Sequence, residues 1–117
     1  MNEGSSIHVD GVAQRLDLAV CAGADGLSGA VSGALCSDLL SFVMANGRAG
    51  NLWLTIQTHP NIVAVAELAR LSAIVVVSGF TPDEDTLMRA DEESIPVLTS
   101  PESAFTVAGR LYGLGVR

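Results

Sequence analysis

The sequence predicts an α/β fold, and three observations carry that prediction. Short apolar runs alternate with helical patterns along most of the chain. Hydrophobic residues make up 49% of the 117 positions and charged residues 16%, which supplies a substantial core and is far from the composition of a disordered chain. The run Ala73 to Val77 is continuously apolar and largely β-branched, as a central strand covered on both faces requires. The expected architecture is three-layer α/β/α around a mostly parallel sheet, because helix-sized segments separate the strands in the second half of the chain.

Residues 1–14 are polar and mixed and read as a flexible N-terminal arm, leaving 15–117 as one α/β domain. Leu16 to Ala22 is the first expected strand, closed by the Gly23–Gly26 turn. Leu27 to Leu35, rich in Gly, Ala and Ser, reads as a second strand with close backbone approach. A helix comes next, with Leu39, Leu40, Val43 and Met44 on one face, Ser37 or Asp38 as cap and Asn46-Gly47 as its end.

Asn51 to Ile56 is a strand with Trp53 as its large packing residue. Pro60 suits the first turn of the next helix, with Thr58 or His59 as cap, and that helix is apolar nearly all round. After the 73–77 strand and the Ser78-Gly79-Phe80 turn, Thr81-Pro82-Asp83-Glu84 has the form of a capping box opening a helix to Glu93. Ile95 to Leu98 is a short strand in which Pro96 marks an edge position or a strand start. Ser100-Pro101-Glu102 opens a last helix with the stripe Phe105, Val107, Ala108, Leu111 and Tyr112.

Charge and composition exclude several function classes. The formal net charge is -7, and the six basic residues are all Arg, scattered without a basic stripe. Neither nucleic acid nor an anionic membrane surface is an expected partner. No apolar run approaches the ~20 residues of a membrane span. The N-terminus lacks a signal-peptide pattern, so a cytoplasmic location is expected. Cys21 and Cys36 then read as reduced thiols, small core residues of two apolar stretches. Two Cys and two His this dispersed do not make a metal site, and no cofactor motif is present.

A family resemblance rests on particular strings. They are Asp38-Leu39-Leu40-Ser41, Thr55-Ile56-Gln57-Thr58-His59-Pro60-Asn61-Ile62-Val63-Ala64-Val65-Ala66, Ile74-Val75-Val76-Val77-Ser78-Gly79-Phe80, Thr81-Pro82-Asp83-Glu84, Ile95-Pro96-Val97-Leu98-Thr99 and Ser103-Ala104-Phe105. In order and spacing the stretch from about Val20 to Val116 resembles the DRTGG domain family. The Asp-Arg pair and the Thr-Gly-Gly string that typify the family are replaced here by Thr58-His59-Pro60-Asn61 and Ser78-Gly79-Phe80. The Gln-Thr-His-Pro-Asn turn resembles that of stand-alone members associated with iron-only hydrogenase systems. The resemblance implies a fold similar to the N-terminal domain of HPr kinase/phosphorylase. It also implies a non-catalytic module that helps subunits associate, beside catalytic or sensory parts in larger proteins such as phosphate acetyltransferases and CBS-domain pyrophosphatases.

The candidate site is a row of polar turns. Gln57, Thr58, His59 and Asn61 lie at a strand's C-terminal end and open a helix, where α/β sheets bind ligands and where free backbone N–H groups favour anions. Ser78 and Gly79, Thr99 and Ser100, and Asp38 belong to neighbouring turns at the same edge. Each of these residues equally suits plain helix capping. His59 is the one titrating group placed for catalysis, and it lacks an evident nucleophile or orienting carboxylate. The acidic cluster from Asp83 to Glu93 reads as a solvated helix face.

The function expected is a non-catalytic regulatory or oligomerisation module acting through protein contacts. It would be a homodimer, with a candidate protein partner in a hydrogenase or redox system. The alternative is a sensor of a nucleotide or carboxylate metabolite, held on the helix N-termini of the 57–61, 78–80 and 99–100 turns.

Overall fold

A computed structural model of the chain describes Ser6–Arg117. Its elements are α1 (Val9–Arg15), β1 (Ala19–Ala22), β2 (Gly33–Cys36), α2 (Leu40–Asn46), β3 (Asn51–Thr55), α3 (Asn61–Ala69), β4 (Ala73–Val76), α4 (Glu84–Glu93), β5 (Val97–Thr99) and α5 (Ala104–Gly113). A short 3-10 turn at Ala24–Gly26 lies directly after β1.

The five strands form one sheet in the order β1-β5-β4-β3-β2. β2, β3, β4 and β5 run parallel, with Leu52 beside Ala73 and Ile74 beside Val97. β1 joins β5 antiparallel, and its register shifts between Val20 and Ala22, so Cys21 is bulged. β4 is central and all four of its residues are buried, as its β-branched run requires.

Alternation along each strand divides the core into two. Leu52, Leu54, Val75 and Leu98 face α1 and α5. Trp53, Ile74, Val76 and Val97 face α2, α3 and α4. The result is the three-layer α/β/α arrangement expected from the sequence. Trp53 is fully buried, and its indole N–H donates to the Ser37 carbonyl at 2.8 Å, which satisfies its polar atom.

Several expectations need correction. The part of the supposed arm that is described is not an arm: Val9–Arg15 forms α1, with Val9 and Val12 fully buried. Val9, Val12, Ala13 and Leu16 recur at helical spacing and enter the core together. Met1–Ser5 lie outside the described residues. The first strand starts at Ala19 rather than Leu16, because Asp17 takes a left-handed turn (φ 57) between α1 and β1. The second strand begins only at Gly33. Leu27 and Val31 pack against the core from a loop instead.

Helix starts shift as well. α4 begins at Glu84 with Asp83 as its first flanking residue, so Pro82 sits outside the helix and Thr81 does not cap it. The cause is the Thr58 carbonyl, which accepts from Asp83 N–H at 3.1 Å and from the buried Thr86 hydroxyl at 2.6 Å. These bonds tie Asp83, itself extended, and the first turn of α4 to the turn after β3. Ser103, not Ser100, caps α5, accepting from Thr106 N–H at 3.2 Å. Pro96 directly precedes β5, an interior strand, so strand start rather than sheet edge is its role.

Both cysteines are exposed, not core. They lie on the two outermost strands, each flanked by a neighbouring strand on one side only among the described residues. Partial shelter of the Cys36 sulfur, and secondarily the Asp38 carboxylate, raise its pKa and keep it protonated.

Candidate functional site

The parallel strands deliver their following turns to one edge of the sheet, in the order of the strands: 37–39 after β2, 56–60 after β3, 77–83 after β4 and 100–103 after β5. The nine sequence-predicted residues therefore share an edge. They do not share one pocket.

Asp38 belongs to the sheet rather than to a cap. One of its carboxylate oxygens accepts from the Thr55 hydroxyl at 2.8 Å and from Ile56 N–H at 2.9 Å. The Gln57 side-chain amide donates back to the Asp38 carbonyl at 2.9 Å. These three bonds tie the turn after β2 to the end of β3. The start of α2 is served by Ser37, whose hydroxyl oxygen accepts from Leu39 N–H at 3.1 Å.

The 57–61 turn uses its own donors. Gln57 N–H goes to the Thr55 hydroxyl, Asn61 N–H to His59 Nδ1 at 3.1 Å, Ile62 N–H to the His59 carbonyl and Val63 N–H to the Pro60 carbonyl. The next turn behaves alike. Ser78 and Gly79 take successive left-handed conformations (φ 62 and 77), a shape that often cradles an anion. Here Ser78 N–H donates to the Glu102 carbonyl at 2.7 Å and Gly79 N–H to the Ser100 carbonyl at 3.0 Å. Glu102 N–H in turn donates to the buried Ser100 hydroxyl. The donors that an anion would need are largely spent on the fold, and Glu84 and Asp85 oppose negative charge at the start of α4.

His59 gains no catalytic company. Among the described residues its ring is bonded to Asn61 N–H, and no carboxylate or hydroxyl is bonded to it. No group of three metal-ligating side chains occurs among the described residues.

Gly79, Thr99 and Ser100 come together in a pocket of about 290 Å³ with Cys21, Phe80 and Pro82. The bulge turns Cys21 toward Thr99, with 3.5 Å between sulfur and hydroxyl oxygen. Phe80 stands half exposed at its mouth. Sequence reasoning reaches Phe80 only as part of the 78–80 turn and does not single out Cys21 or Pro82 as site residues. A separate pocket of about 390 Å³ between α1 and the end of α5, lined by His8, Asp10, Gln14 and Arg15, contains none of the nine.

Taken together, a mostly parallel sheet covered on both faces, with internally hydrogen-bonded turns at one edge and a small open pocket, defines a three-layer α/β domain. The model of the DRTGG domain family matches residues 37–114, two thirds of the chain, and the chain belongs to that family. No curated protein matches it. Among solved structures it is similar to the CBS and DRTGG domains of the regulatory region of a Clostridium perfringens pyrophosphatase, in a complex with the activator diadenosine tetraphosphate. The TM-score is 0.74 at 18% identity, covering 97% of this chain and 49% of that one. This chain therefore spans about half the length of that regulatory region, and the likeness is one of fold.

Proposed function

We propose that this chain is a regulatory module that acts through protein contacts, the first of them with a second copy of itself. One observation carries the reading: large apolar side chains stand in solvent although the two core clusters are complete. Phe105 is 87% exposed and Tyr112 61%, seven residues apart on one stripe of α5, while Val107 and Leu111 fill the core. Of the five stripe residues expected to be core, two face outward. Leu68 and Met88 are similarly exposed on α3 and α4. Surplus apolar area of this kind marks contact surfaces.

The spent donors of the 57–61 and 78–80 turns support the same reading, since they weaken the case for an anionic ligand on helix N-termini. The surroundings of His59 support a non-catalytic role. A hydrogenase or redox system, suggested by the Gln57–Asn61 turn, is where a further partner is to be sought.

A second reading has its own support. The pocket beside Cys21, Phe80 and Thr99 is near the lower end of ligand-pocket volumes, roughly 300–1,000 Å³. Phe80 offers a face for a planar group. The pyrophosphatase regulatory region was solved with a dinucleotide activator. Light scattering combined with thermal shift separates the two readings. A dimer whose melting temperature ignores nucleotides, phosphorylated metabolites and carboxylates is the expected result. A monomer stabilised by one ligand class reverses the order.

A further inference from the structure

We propose that the outer edge of β2 is the surface on which two copies of this chain join, antiparallel, into one continuous ten-stranded sheet. The inference rests on the self-assembly reading above and names its surface.

Among the described residues both end strands have an unpaired edge, but they differ. β1 carries the bulge at Cys21, a device that disrupts edge pairing. β2 (Gly33–Cys36) has regular register along β3, with no proline and no charge. Alternate N–H and C=O groups of such a strand point away from β3, and among the described residues no strand receives them. A groove of about 530 Å³ runs along this edge, lined by Ala34 and Leu35 together with Phe42 of α2, Arg48 and Arg117. The Arg117 guanidinium lies 3.9 Å from the centre of the Tyr112 ring, which joins the groove to the exposed aromatic end of α5.

A two-fold axis perpendicular to the sheet preserves its faces, so residues can pair only with residues of the same face. The register that centres on Leu35 does this: Leu35 meets the partner's Leu35 beside both Phe42 rings, and Ala34 meets the partner's Cys36. It is also complementary in charge. Arg48 and Arg117 lie at the start of β2, and Asp38 lies two residues beyond its end. Antiparallel pairing sets each end against the other. Among the described residues both hydrogen bonds that the Asp38 side chain accepts go to one oxygen, and the second is the one offered to a partner's guanidinium. A standard interface takes about 800 Å² per partner, roughly an eighth of the 6135 Å² surface. Four strand residues cannot supply that alone, so Phe42, Arg48 and Arg117 must be part of it.

The test is a crosslink. Ala34 is exposed and small, so Ala34→Cys leaves the fold in place. Paired Cα atoms of antiparallel strands lie about 4.5–5.5 Å apart, within disulfide reach. Ala34→Cys, made in a Cys21→Ser background and oxidised at micromolar concentration, is expected to form a covalent dimer. Adding Cys36→Ser abolishes it. A chain that sediments as a dimer yet never crosslinks overturns the β2 surface and leaves self-assembly standing. A chain that is monomeric throughout overturns both.

Discussion

Replacing Asp38 by Ala tests whether this residue clamps the sheet or waits for a ligand. The substitution removes the acceptor of the Thr55 hydroxyl and of Ile56 N–H, at 2.8 and 2.9 Å. A hydrogen bond to a charged group contributes about 1.5–3 kcal/mol. Asp38 is exposed, so solvent screening holds each bond at or below the low end, for a combined loss of about 2–3 kcal/mol. Thr55 is buried but keeps Gln57 N–H as a donor, so it is not wholly orphaned. For a domain of this size the loss corresponds to a fall in melting temperature of about 6–15 °C. Urea unfolding followed by fluorescence of Trp53, the single tryptophan, gives the free energy directly. A double cycle with Thr55→Val should show a coupling of about 1 kcal/mol. A loss under about 0.5 kcal/mol, ordinary for a surface substitution, would refute the clamp.

Other outcomes follow from the same geometry. Removing residues 1–14 takes away Val9 and Val12, each fully buried and contributing about 1.5–3 kcal/mol, so the truncated chain should be largely unfolded by circular dichroism; a flexible arm would leave its melting unchanged. Gly23→Ala should cost about 2–4 kcal/mol in urea unfolding, because Gly23 has φ 73 and a Cβ there collides with the Ile95 carbonyl. Glu93 has a raised pKa, chiefly from its hydrogen bond and charge contact with Glu67, opposed by Arg89. A raised carboxyl pKa contributes stability at low pH that is lost as pH rises through the folded value. Glu67→Gln should therefore lower the Glu93 pKa toward the ordinary carboxylate range in an NMR titration and flatten the acid-side stability profile; an unmoved Glu93 pKa would count against the pairing.

How much of this was legible in the sequence differs by element. β4, α3 and α5 were readable because their patterns are local: a β-branched run, Pro60 before an apolar helix, and Val107 with Leu111 one turn apart. α1 carried its signal in Val9, Val12, Ala13 and Leu16, but Asp10, Gly11, Gln14 and Arg15 between them hid it. The exposure of Cys21, Cys36 and Phe105 depends on which strands end the sheet and on how much of α5 the sheet covers. Neither is local. The edge that gathers Gln57, Ser78, Thr99 and Asp38 followed from parallel topology. What it does there did not, because capping residues and ligand-binding residues are the same types. Only the partners of each N–H tell them apart: Ser78 and Gly79 give theirs to Glu102 and Ser100.

The measurement that bears most directly on self-assembly is sedimentation equilibrium of the unmodified chain over a micromolar concentration series. The monomer mass is 12.1 kDa. Contact between copies predicts a mass near twice that value, holding to low micromolar concentration without added ligand. A mass that stays at the monomer value across the series would contradict it.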